Sequence, residues 1–244
     1  TDLNVIHGPL ASYLNALLFQ IFGIGISTLV FFNIFLVVLL SFFIYDLFRA
    51  TFGHFMATAA GICFLILFAF SQYVGIGNYN FICPYSHELT YGICLFFGQL
   101  FIFRKYLLQP RLIFASLIGF LMGLIFLTRV EVFLASFVTI SVGLSLTYWQ
   151  AKLPQSRRHF HYTLMFFFLP ILPFFIYFSS QVSFIDAFLL LSRSYMNTFN
   201  STITHNVFHL QIIGLDDPVK NLTLMFEQVG SFLVLFALAG LISY

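Results

Sequence analysis

The 244-residue chain is 61% hydrophobic and only 7% charged, with 37 Phe and a formal net charge of +2. Soluble domains run near half apolar and a quarter charged, so this balance, with a mean hydropathy of +1.00, excludes a water-soluble globule and reads as a polytopic membrane protein. The small net charge, and the lack of a basic run interleaved with aromatics, argue against nucleic acid as a partner.

The chain opens with Thr1 and ends at Tyr244 in or just after an apolar run. The expectation is a piece of a longer membrane protein, truncated at both ends, with at least one span upstream. Residues 1–10, TDLNVIHGPL, are mixed in polarity and carry a Gly-Pro break. Residues 10–23, LASYLNALLFQIFG, read as a short apolar helix ending at Gly23. At 1.5 Å per residue it reaches about 21 Å, short of the roughly 30 Å hydrocarbon core. It is therefore expected at the interface, with Tyr13, Asn15 and Gln20 as polar interruptions.

Full spans are expected at 27–47, 55–73 and 89–103, with the Gly- and Asn-rich loop VGIGNYNFICPYSHE between the second and third. Residues 112–149 form one apolar block broken only at Thr128, Arg129 and Glu131. A single helix of that length would reach about 57 Å, so two short antiparallel spans meeting near Arg129 fit better. Ala115, Gly119 and Gly123 recur at every fourth position, and such small residues let membrane helices approach closely. A polar linker, a span at 162–179 holding Pro170 and Pro173, a long mixed loop at 180–225 and a last span at 226–244 complete the chain. The predicted fold is all-α: a polytopic transmembrane bundle of about seven spans plus an interfacial amphipathic helix. It forms one domain over 1–244, with 1–26 as outer loop and interfacial helix and 27–179 as transmembrane helices.

Alternating spans place Arg49, Arg104, Lys105, Arg111, Lys152, Arg157 and Arg158 on one side and Arg129, Arg193 and Lys220 on the other. The side rich in basic residues is expected to be cytoplasmic. Of the eight acidic residues only Asp46 then lies inside, which directs any chemistry to the outer face.

Arg129 and Glu131 are ionisable groups flanked by hydrocarbon, and such groups persist where they cap a span or line a watery cavity. Arg129 suits a phosphate, because guanidinium matches phosphate oxygens bidentately; snorkelling, or pairing with Glu131, is the even alternative. Glu131 could hold Arg129 or bind a sugar hydroxyl. His87 and Glu88 follow Ser86 at the start of a span. Ser86 reads as an ordinary helix cap. The His-Glu pair stays open between sugar binding and part of a metal site, for which two ligands are too few. His205 and His209, four apart, with Asp216 and Asp217 downstream, read as a zinc site or equally as a hydrated loop. No metal ligand is assigned, and no cofactor beyond an open divalent metal. His54, His159 and His161 read as interface residues on the inner side, and Trp149 as part of an aromatic belt. Cys63 and Cys94 read as buried hydrophobes and Cys83 as a loop thiol; an odd number without a CxxC pair frames no disulfide set.

Four pieces resemble the integral-membrane glycosyltransferases of the GT-C fold, especially bacterial members grouped with family 39 and the arabinose and mannose transferases. These are TDLNVIHGPLASYLNALLFQIFG, NYNFICPYSHELTYGI, GLIFLTRVEVFLA, and the order of spans with basic inner loops; together they cover about residues 1–150. The resemblance implies transfer of a sugar from a polyprenyl-phosphate donor to an extracytoplasmic lipid, glycan or protein. The enzyme would be a multi-pass protein of the plasma (inner) membrane with its active face outside. By position before Gly8-Pro9-Leu10 it assigns Asp2 as the general base, although Leu3 follows where many relatives carry an acid. From the residues themselves, His7 reads as a neighbour that tunes Asp2 or as polar packing, and it joins His87, Glu88, Arg129 and Glu131 as the substrate-binding candidates. A transporter or flippase is the rival reading; it predicts related halves with breaks in paired spans, and no such repeat is apparent.

Overall fold

A computed structural model describes residues 8–70, 80–84, 86–151, 156–198, 207, 210–211 and 215–242. Two compact units divide the chain, Thr1–Tyr195 and Met196–Tyr244. Among the described residues the first holds eight helices and most of a ninth: α1 Leu10–Phe22, α2 Ile26–Phe52, α3 His54–Cys63, α4 His87–Leu108, α5 Leu112–Phe126, α6 Val130–Ala151, α7 Ser156–Phe168, α8 Ile171–Gln181 and α9 Phe184–Thr198. α3 continues as a π-helical turn over Phe64–Ala69. In the second unit the long helix is α10, Pro218–Ile242.

Among the described residues, four stretches are long and apolar enough to cross a membrane: Ile26–Phe52, His87–Leu108, Val130–Thr147 and Arg157–Gln181. With the run of Phe31, Phe35, Val38 and Phe42 exposed along α2, they mark a membrane protein. Seven spans are expected from the sequence, and the shorter helices account for part of the difference. α5 stops at Phe126 because the chain turns at Leu127–Thr128, and 15 residues reach only about 22 Å.

α1 closes at Gly23, which takes φ 89° as a helix stop, and Gly53 does the same at φ 86° after α2. α7 and α8 are separated at Leu169–Pro170, since the proline ring has no N–H to continue the ladder.

The segment read as a loop over 180–225 is in part helical. α9 is started by Ser183, whose hydroxyl receives the Asp186 N–H at 3.2 Å and donates to the Asp186 carboxylate at 2.7 Å. This reciprocal cap precedes an apolar stripe that buries Ala187 and Leu191, a helix signal that the scattered polar residues of the segment concealed. Asp217 caps α10 by accepting the Lys220 N–H at 3.2 Å, with Pro218 as first helical residue.

α4, α5 and α6 surround a buried polar clasp. Gln99 donates to the Ile118 carbonyl at 3.0 Å and accepts from Ser136 at 2.6 Å, and both side chains are fully buried. α5 and α7 meet along the Ala115, Gly119 and Gly123 row. A Cβ on Gly119 would lie 2.0 Å from the Thr163 carbonyl oxygen, and one on Gly123 would lie 2.2 Å from that of Phe167. Thr163 adds a hydroxyl bond to the Ala115 carbonyl at 3.1 Å. The small-residue row is thus a backbone-to-backbone seam, with α7 as its partner.

Candidate functional site

The α5–α6 turn organises one end of the bundle. Thr128 is fully buried, and its hydroxyl donates to the Ile125 carbonyl at 2.6 Å, closing α5. The carbonyls of Thr128 and Leu127 face outward from the turn and receive the backbone N–H groups of Gly8 at 2.8 Å and Leu10 at 3.0 Å. Only glycine fits position 8, where a Cβ would lie 2.1 Å from the Leu127 oxygen. On the other flank Gly92 of α4 is pressed against Thr128, with a Cβ there 2.8 Å from the Thr128 hydroxyl. Residues 8–10, 86–92 and 127–131 therefore converge, although they lie far apart in sequence.

Arg129 sits just ahead of α6, and its carbonyl accepts the Phe133 N–H at 3.1 Å. Because it precedes the helix, its side chain can turn to Glu131 of the first turn, which two helical positions could not do. The Nε–Oε2 distance is 3.5 Å, with the Arg129 side chain 24% exposed and that of Glu131 61%. One terminal nitrogen of Arg129 donates to the Ser86 hydroxyl at 3.5 Å, and Ser86 in turn donates to Glu88 at 2.9 Å. Arg129 Nε is buried without a hydrogen bond.

Ser86 does occupy the N-cap position of α4, but its hydroxyl makes no bond to the helix backbone. It links Arg129 to Glu88 instead, which corrects its reading as an ordinary cap. His87 and Glu88 open α4 and Glu131 opens α6, so two helix N-termini face this end and favour negative charge there.

His87 Nδ1 lies 3.4 Å from the Tyr91 hydroxyl, one turn along α4. Tyr91 donates to Asn15 of α1 at 2.6 Å, which fixes the short helix across the mouth of the cluster. On the far side of the turn, Tyr195 of α9 donates to the Phe126 carbonyl at 3.0 Å and stacks on the Phe126 ring at 4.8 Å. Burial, and then the Glu131 carboxylate, push the Tyr195 phenol above its ordinary pKa.

Of the residues expected at the site, His87, Glu88, Arg129 and Glu131 share this end of the bundle, joined through Ser86. Asp2 and His7 lie outside the described residues, as do His205 and His209. Asp217 caps a helix and Asp216 accepts from Asn221 at 3.1 Å. No cluster of three metal-ligating side chains occurs among the described residues. Asn15, Tyr91 and Tyr195 were not anticipated as neighbours of the site. The His87–Tyr91 spacing of one helical turn was a usable signal for Tyr91; the other two are long-range contacts that spacing does not encode.

The opposite end carries its own charges. Asp46 of α2 pairs with Arg104 of α4, and with Arg49 at 3.3 Å. Glu88 and Arg104 are about 24 Å apart along α4 at 1.5 Å per residue. Comparison of the chain with known protein families, with curated proteins and with solved structures finds no match.

Proposed function

We propose that the protein is a GT-C-type glycosyltransferase of the plasma membrane, moving a sugar from a polyprenyl-phosphate donor to an extracytoplasmic acceptor. The observation that carries this reading is the backbone clasp of Gly8 and Leu10 on the Arg129 turn. It ties the segment following Asp2 to the end of the bundle that holds the Arg129 guanidinium. Asp2 is six residues ahead of Gly8, a chain reach of at most about 20 Å.

In this reading the acceptor hydroxyl attacks the anomeric carbon as the bond from that carbon to the phosphate oxygen breaks. Asp2 takes the hydroxyl proton, and the departing polyprenyl phosphate carries its negative charge to Arg129 and the N-termini of α4 and α6. The Arg129 side chain is 24% exposed and its contacts with Glu131 and Ser86 are 3.5 Å each, so its guanidinium keeps donor capacity for a phosphate oxygen. Glu88, Glu131 and His87 bind sugar hydroxyls, and Ser86 holds Glu88 toward Arg129. The acidic outer rim and basic inner loops orient the active face outward.

The test is transfer from a polyprenyl-phosphate sugar by the full-length protein in nanodiscs. Asp2→Asn is expected to lower turnover by about 100-fold or more while donor binding persists. Unchanged turnover removes the base assignment, and no transfer by the unaltered protein across a panel of such donors removes the reading.

A further inference from the structure

The end of the bundle away from Arg129 contains a cavity of about 460 Å³ between α4, α5, α6 and α7. Its polar lining includes Arg157, His159 and His161 of α7 and hydroxyls from α4, α6 and α7, with Trp149 at the edge. Among the described residues, no carboxylate belongs to the lining. Asp46, the acid at this end, is engaged by Arg104 and Arg49. The adjacent Arg158 lies over the Tyr162 ring at 5.8 Å, so Arg157 is the guanidinium that the cavity receives.

His159, read as an interface residue on the inner side, lines the cavity at this end of the bundle and is 5% exposed. Its Nδ1 lies 2.9 Å from the Tyr106 hydroxyl, whereas its Nε2 is buried without a partner. The ring tautomer sets which of the two groups donates, and in either tautomer Nε2 is a buried polar atom without a partner. An unsatisfied buried polar atom costs roughly 1–3 kcal/mol. Among the described residues the lining therefore combines a guanidinium, two imidazoles and several hydroxyls, and holds no carboxylate.

We propose that this cavity binds a phosphate monoester, held by Arg157 with His161. Guanidinium takes two phosphate oxygens at once, and His161 adds a second basic side chain to the lining. α6 ends at Ala151 and α7 begins at Ser156, so the cavity opens where two spans leave the hydrocarbon. Trp149 is 84% exposed there, as suits a ring at a membrane–water boundary. A phosphate monoester can reach that level as an anionic lipid headgroup or as a free ion from water, and basic pockets between spans accept such headgroups. This inference does not depend on the transferase reading, which concerns the other end of the bundle.

The test uses the full-length protein in phosphatidylcholine nanodiscs, with Trp149→Phe as the reference that isolates the Trp149 emission. One arm adds phosphatidic acid to the bilayer, and the other adds inorganic phosphate to the buffer. A saturable change in Trp149 emission is expected in at least one arm, weakened about tenfold by Arg157→Gln. Response to phosphatidic acid alone identifies a lipid headgroup, and response to both identifies the phosphate group as sufficient. Arg157 is exposed at the start of α7, so its replacement leaves the melting temperature unchanged, and His161→Gln serves as a second variant. No response in either arm, or equal affinity in Arg157→Gln and the unaltered protein, overturns the proposal.

Discussion

Arg104 and Arg129 lie at opposite ends of the bundle and are held in different ways. Arg104 meets Asp46 of α2 directly, and that carboxylate is 14% exposed and also engaged by Arg49. Arg129 reaches Glu131 and Ser86 only at 3.5 Å each, and its Nε has no hydrogen bond. A guanidinium whose partners are close and buried fastens helices together. One whose partners stand at the outer limit of contact retains donors for something else. The contrast separates a structural ion pair from a candidate binding group without reference to sequence position.

The largest effect is expected where both ends depend on one seam. Gly119→Val places side-chain atoms against the Thr163 backbone, where even a Cβ comes to 2.0 Å. It should destabilise the bundle by at least about 3 kcal/mol, since backbone rather than a flexible side chain must move. A thermal melt in detergent checks this, and an unchanged melt would mean that α5 and α7 do not pack as described.

Breaking the Asp46 pair is the next largest change. Asp46→Asn leaves two guanidinium groups without their carboxylate and should cost about 1–2 kcal/mol, less than a fully buried pair because Arg104 is 35% exposed. Combining Asp46→Asn with Arg104→Gln should recover part of the loss, and a cycle of melts measures the coupling.

A smaller effect is expected beside Arg129. Tyr195→Phe removes the bond to the Phe126 carbonyl and should cost about 1 kcal/mol at neutral pH. Because burial and Glu131 raise the Tyr195 pKa, its stabilisation is complete below the ordinary tyrosine value of about 10 and is lost as pH rises through the folded value. Melts taken above about pH 10 should therefore fall less steeply in Tyr195→Phe than in the unaltered protein.

The local grammar of the chain was legible before its tertiary contacts were. The short first helix and its stop at Gly23, the break at Arg129 and the small-residue row on α5 all follow from spacing and backbone chemistry. Helix α9 escaped because Ser183 and Asp186 read as polar loop residues until their reciprocal cap is seen. At the site, scarce charges in apolar surroundings pointed to Arg129, Glu131, His87 and Glu88. The role of Ser86 did not follow, since a serine before a helix usually bonds the backbone. His159 was read as an inner-side interface residue, and hydropathy alone does not encode the contact its ring makes with the Tyr106 hydroxyl.

The most direct test of the account compares polyprenyl-phosphate affinity for the unaltered full-length protein, Arg129→Gln and Arg104→Gln in nanodiscs. Arg129→Gln should bind about tenfold or more weakly with its melting temperature unchanged, while Arg104→Gln should melt earlier and bind as before. Equal affinity in Arg129→Gln and the unaltered protein would contradict the assignment of Arg129 to a donor phosphate.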